Sequence, residues 1–207
     1  MAEYVWQHAS WPTFRWDAEA ILSPLGQTRR LQGEVLALMK HFELKLEADL
    51  ICEEALTTAA IEGESLSRDH VRSSVARRLG LPTAGLPPPP RPVDGLVDIL
   101  IDATRGHQQP LTLERLMGWH AALFPTGYSG LIKIPTGSFR MGADPMQVVS
   151  GPIGKEIIHF EAPPSQDIPQ EMERFLNWFN TSTESIDGLL RAAITHFWFV
   201  TLHPFAD

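Results

Sequence analysis

At 207 residues the chain is long enough to bury a sizeable core, as one domain or as one domain with a smaller appendage. Its 43% apolar and 20% charged residues are those of a globular protein, and a formal charge of −8 excludes broad binding to nucleic acid or an anionic membrane, which needs a basic surface. A single cysteine, Cys52, excludes an internal disulfide and every cysteine-rich zinc site.

The first residues have neither a basic nor an apolar leader pattern, and no run approaches the ~18 apolar residues of a membrane span, so a cytoplasmic location is expected. Tyr4, Val5, Trp6, Trp11, Phe14 and Trp16, interrupted by Pro12, predict an aromatic arm docked on the body. From Asp17 to about Gly63 the pattern is helical. Leu31, Val35, Leu38, Met39 and Phe42 recur at three- and four-residue steps, and Leu44, Ala48, Ile51 and Ala55 begin a second stripe. The same steps carry on to Thr58 and Glu62, which turns Glu62 toward the body. A glutamate in a last helical turn opposes the helix dipole, a loss of ~0.3–1 kcal/mol, so a cation or a function should account for it.

Ser67 is the expected N-cap of a helix running to Leu79, with Gly80 as its stop. Residues 80–92, Gly-Leu-Pro-Thr-Ala-Gly-Leu-Pro-Pro-Pro-Pro-Arg-Pro, form a stiff connector. Helices are predicted over Asp94 to Thr104 and from Thr112, as cap, to Phe124. Residues 125–164 are punctuated by Gly and Pro. Within them Gln147 to Ser150, then Gly151-Pro152-Ile153-Gly154, then Lys155 to Phe160 predict a hairpin. Asp167 and Pro169 open another helix whose inward face is Met172, Phe175, Leu176 and Phe179.

The last stretch, Leu189 to Asp207, is apolar nearly all round and reads as a central helix covered on every side. Pro204 pushes His203 out of the α region, so the helix should stop near Leu202 and deliver His203 and the carboxylate of Asp207 to one place. The fold class is mainly α: a helical bundle around a buried central helix, with one hairpin. His196, one heptad before His203, permits a His-His-Asp metal site, but a packed core histidine is the favoured reading. His159 is read as a surface histidine, His120 as structural and Cys52 as a small core residue. No nucleophile turn, P-loop or Rossmann glycine motif is present.

His203-Pro204-Phe205-Ala206-Asp207 resembles the first half of the signature of Fic-domain proteins, His-x-Phe-x-Asp/Glu-Gly-Asn-Gly-Arg. Thr58-x-x-x-Glu62-Gly63 resembles the inhibitory motif of the class that carries its own inhibitory helix. Phe139-Arg140, residues 145–154 and residues 159–164 resemble the family's flap, with Val148, Val149, Ser150, Gly151, Ile157, Ile158 and His159 as its target- or nucleotide-facing residues. The likeness takes in residues 72–81, 118–125 and 197–201 as well.

This resemblance implies a Fic-type bundle divided into a helical region at 1–80 with the inhibitory helix, a Pro-rich linker at 81–93 and a Fic core at 94–207. It implies a protein adenylyltransferase that moves AMP from ATP to a hydroxyl of a protein target or of itself, with oligomerisation left open. His203 would be the catalytic base, Pro204 and Phe205 its supports, Asp207 the ligand of Mg2+ or Mn2+, and Thr58, Glu62 and Gly63 the brake. Removal of AMP is an alternative direction. The chain as given stops inside the signature, before the phosphate-binding segment, so it is expected to be inactive as it stands. A non-catalytic interaction module or decoy is the competing reading.

Overall fold

The apolar spacing does produce helices, and the computed structural model, which describes residues 4–39, 44–152 and 154–206, has seven among them. They are α1 (Ala18–Met39), α2 (Leu44–Ile61), α3 (Arg68–Leu79), α4 (Arg91–Arg105), α5 (Leu113–Leu123), α6 (Ile168–Thr181) and α7 (Gly188–Leu202). Between α5 and α6 lie two antiparallel hairpins: β1 (Tyr128–Ser129) with β2 (Ile132–Lys133), and β3 (Gln147–Ser150) with β4 (Ile157–Glu161). The β3–β4 pair is the hairpin expected from the sequence. The β1–β2 pair accompanies it unannounced, because strands of two residues show no alternation and only Gly130, at φ 56°, marks their tight turn.

Two apolar cores divide the chain. The first is built by α2, α3 and α4 from Ala48, Ile51, Cys52, Ala55, Val71, Val75, Leu79, Val93 and Val97. Its rim is tied by Asp94, which accepts from Ser74 Oγ (2.5 Å), Arg77 Nη2 (2.6 Å) and Arg78 Nη1 (2.9 Å). Burial pushes the Cys52 thiol up. The second core joins α5, α6 and α7 through Leu111, Leu116, Ile168, Met172, Phe175, Trp198 and Leu202. The two meet where α4 crosses α5. There Gly95 approaches so closely that a Cβ on it would lie 1.9 Å from the Ala122 carbonyl oxygen.

The N-terminal aromatics dock as their composition predicts. Trp11 stands edge-on to Trp198 at 5.8 Å, Phe14 lies 5.6 Å from Trp198, Tyr4 meets Phe160 at 5.5 Å, and Trp6 Nε1 donates to the Glu161 carbonyl at 2.6 Å. The arm therefore joins the second core to strand β4.

Helix ends follow their sequence signals closely. Thr112 Oγ1 accepts from Arg115 N at 3.1 Å and Asp187 Oδ1 from Leu189 N at 2.9 Å, while Gly80 takes φ 71° after α3. Ser67 stands at the predicted cap without a side-chain bond.

One expectation of burial needs correction, that for α7, and α1 too is more open than its apolar stripe suggests. α1 buries none of its described side chains, and Leu31 and Val35 of its stripe are exposed; the side chains of Leu38 and Met39, and Phe42, lie outside the described residues, as does Ile153 of the hairpin. Periodicity fixed the helix but not a partner for it; Ile21 and Leu25 are half-buried, and Arg29 pairs with Asp187 (2.8 Å). α7 is not enclosed on every side. Trp198, Thr201 and Leu202 are buried against α6 and the aromatic arm, whereas Phe197 and Val200 are 47% and 53% exposed.

Candidate active site

α7 ends where Pro204 requires it to. His203 is the C-cap, at φ 44° and ψ 63°, with its N–H donating to the Phe199 carbonyl at 3.0 Å. It is the one non-glycine residue with positive φ among the described residues. A left-handed backbone costs such a residue roughly 1–2 kcal/mol, so neighbouring contacts have to hold it there.

Those contacts come from two residues that the sequence did not single out for this task. Arg140, 6% exposed, reaches three successive carbonyls at the helix end. Its Nε donates to His203 O at 2.6 Å, its Nη2 to Leu202 O at 3.3 Å, and its backbone N–H to Pro204 O at 2.9 Å. Nη2 also donates to the Pro163 carbonyl. The last carbonyls of a helix lack partners within it, and a cation is favoured there by the dipole. Burial holds the guanidinium below its ordinary range, but an arginine remains charged.

His120 secures the next two residues. Gly137 N–H donates to His120 Nδ1 at 3.0 Å, which assigns the ring proton to Nε2, and Nε2 donates to the Ala206 carbonyl at 2.8 Å. The imidazole lies flat on the Phe205 ring, 4.7 Å between centroids and 12° between planes. Phe205 also packs near Phe139 and Phe199, and Pro204 is fully buried. His120 is thus structural, as expected, and its structural duty falls on the segment after His203.

The flap is an exposed lip. Val148, Val149, Ile157 and Ile158 are each between 48% and 61% exposed, and Gly151 turns the chain at φ 103°. Pairing steps from Val148↔Phe160 to Val149↔Ile158, which leaves His159 as the extra residue of a bulge. His159 lies at the surface, and its Nε2 is 2.6 Å from Ser150 Oγ.

The remaining predicted positions divide. Thr58 is half-buried on α2. Glu62 does not turn toward the body: α2 stops at Ile61, and Glu62 sits exposed at the helix end with no ion pair among the described residues. Gly63, at φ 80°, closes a Schellman motif in which Glu64 N donates to Ala59 O (2.8 Å) and Gly63 N to Ala60 O (3.1 Å). The 3.6-residue register that would have carried Glu62 inward is broken one residue before it. His196 is exposed rather than packed in the core, since the α7 face it occupies is open. It lines a cleft of about 670 Å³ between α5, α6 and α7 whose lining does not include His203. Asp207 lies outside the described residues, and among those described no three His, Cys, Asp or Glu side chains gather where a metal ion could sit. No described helix is long and apolar enough to cross a membrane.

The model of the Fic/DOC family matches residues 110–207, and that of a domain of unknown function (DUF4172) matches residues 4–81. A crystal structure of a Fic family protein from Desulfovibrio desulfuricans G20 is similar in fold, with a TM-score of 0.55 and 22% identity over 95% of this chain. The chain spans 55% of the length of that structure. No curated protein matches it. The αL histidine at the end of α7 and the β3–β4 hairpin both fall within residues 110–207, which carry a Fic/DOC family domain and follow the segment matched by the DUF4172 model.

Proposed function

We propose that the protein is a Fic-type adenylyltransferase that moves AMP from ATP to a hydroxyl of a protein target, or of itself, under restraint by Glu62. The observation that carries this reading is the juxtaposition made by Arg140. One guanidinium touches both the carbonyl of His203 (2.6 Å) and that of Pro163 at the exit of the flap, and this closeness of the two backbones supports a reading in which a target strand on the lip is presented to His203.

In this reading a target segment pairs its backbone with the open edge of the flap, where Val148, Val149, Ile157 and Ile158 supply apolar contact with little demand on sequence. The His203 imidazole accepts the proton of the target hydroxyl as that oxygen attacks the α-phosphorus. The bond from that phosphorus to the bridging oxygen breaks, and pyrophosphate leaves. Such a positioned base contributes ~10²–10⁴-fold. Asp207 is the residue that would hold Mg2+ or Mn2+, which when bound supplies charge stabilisation to the phosphates. Thr58, Glu62 and Gly63 end α2 with a carboxylate open to its surroundings, where it is available to restrain the γ-phosphate, or in the reverse direction to help remove AMP from a modified target.

The test uses the protein at its full natural length with α-labelled ATP. His203→Ala is expected to lower transfer of label to protein by at least ~10²-fold, and Glu62→Gly to raise it. Labelling that survives His203→Ala unchanged refutes the assignment. The second reading, an interaction module without chemistry, is favoured by the apolar lip alone. It requires that binding to the target be retained in His203→Ala with no label transferred by the wild type.

A further inference from the structure

Arg140 stands seven residues before β3, at the entry of the flap, and Pro163 two residues after β4, at its exit. A single side chain therefore spans both roots of the hairpin and the end of α7. Its surroundings are informative. It is buried to 6% exposure, and its partners among the described residues are carbonyl oxygens, none a carboxylate. An arginine kept as a counter-charge would face an acid. This one faces the backbone of Leu202, His203 and Pro204, with its own N–H completing the set. The grip falls on the one non-glycine αL residue described, a conformation disfavoured roughly 5–30-fold for a side chain with a Cβ.

We propose that Arg140 is a positioning residue. It clamps three successive carbonyls so that His203 stays left-handed, and through Pro163 it fixes the flap in register with the imidazole. The proposal rests on the reading of His203 as the base. Its consequence is geometric: a hydroxyl presented by a strand on the flap meets the imidazole at a set place, and a displacement of about 1 Å there costs ~10²-fold in rate. Lysine cannot substitute, because it lacks the planar fork that reaches several acceptors at once.

The experiment needs no ATP. NMR couplings that separate positive from negative φ are measured at His203 in the 207-residue chain, in the wild type, Arg140→Lys and Arg140→Ala. The expected result is positive φ in the wild type and a loss of that conformer, by roughly 5–30-fold in population, in both variants. Signals of Val71 and Val97 in the first core should stay unchanged. An arginine with a merely structural role would leave φ at His203 positive in Arg140→Lys, and that outcome overturns the proposal. If neither variant folds, His203→Gly decides. Glycine is at home in αL, so this variant should be more stable than His203→Ala, and a His203→Gly protein less stable than His203→Ala overturns the clamp. These readouts separate from the chemistry: labelling that persists in His203→Ala removes the base and leaves the clamp standing, whereas an unmoved φ removes the clamp and leaves the base.

Discussion

His120→Phe isolates what the two hydrogen bonds of the His120 ring do for the segment after His203. The substitution keeps a ring of similar size to lie on Phe205, so the stack at 4.7 Å is largely retained. It removes the acceptor for Gly137 N–H (3.0 Å) and the donor to Ala206 O (2.8 Å). A typical intramolecular hydrogen bond contributes about 1 kcal/mol net, and a buried group left unpaired costs ~1–3 kcal/mol. Gly137 and Ala206 are only half-buried, so water can reach them in part and the lower figure applies. Two bonds then amount to about 2 kcal/mol, near 30-fold in the folded-to-unfolded ratio. His120→Ala loses the ring contact as well and should cost ~3–5 kcal/mol. Urea unfolding of the three proteins measures both figures, and hydrogen exchange at the Gly137 amide reports the first bond directly. A His120→Phe protein within ~0.5 kcal/mol of the wild type, with Gly137 still protected, would show that His120 does not hold this segment.

Other perturbations test other links. Gly95→Ala drives a methyl against backbone atoms of Ala122, with carbonyl oxygen and carbon at 1.9 and 2.6 Å, so α4 and α5 must separate and stability should fall by ~1–3 kcal/mol in a urea melt. Gly118→Ala, in the interior of α5 with nothing within 4 Å, should instead raise stability by ~0.5–1 kcal/mol. Burial alone would raise the Asp94 carboxyl, but hydrogen bonds from Ser74 and Arg77 and the charges of Arg78 and Arg77 outweigh it and hold it below its ordinary value. A depressed folded value contributes stability above the unfolded value of about 3.9 and loses it as pH falls through the folded one. Asp94→Asn should therefore flatten the decline of melting temperature below about pH 4. Trp11→Ala removes the ring that meets Trp198 at 5.8 Å and the bond from Nε1 to Glu171 (3.0 Å), with an expected loss of ~3–5 kcal/mol.

The sequence was most legible where a local rule sets the structure. Thr112, Gly80, Asp167 with Pro169, and Pro204 marked helix ends within a residue or two, because a cap or a missing N–H acts on its immediate neighbours. It was less legible wherever the outcome depends on distant partners. The stripe of α1 forecast a helix correctly, but periodicity does not name what covers a face, and Leu31 and Val35 remain in solvent. The Glu62 register assumed a helix continuing past Ile61, and the glycine beside it ended the helix first. His203 could be picked out from Pro204 and the aromatic helix ahead of it. Arg140 could be grouped with the flap by resemblance, but its hold on the end of α7 could not be read, because it lies in a loop 63 residues from the carbonyl it holds, and an arginine among glycines and turns carries no period. For His120 the apolar neighbours signalled a buried ring. The acceptor at Ala206, 86 residues away, was visible only in the folded chain.

The most direct trial of the account is mass spectrometry of a protein target incubated with ATP and the full-length protein, wild type against His203→Ala. An AMP adduct on a target hydroxyl with the wild type, and none with the variant, is the expected outcome. Equal adduct from both proteins would mean that the left-handed histidine at the end of α7 does not carry the chemistry assigned to it.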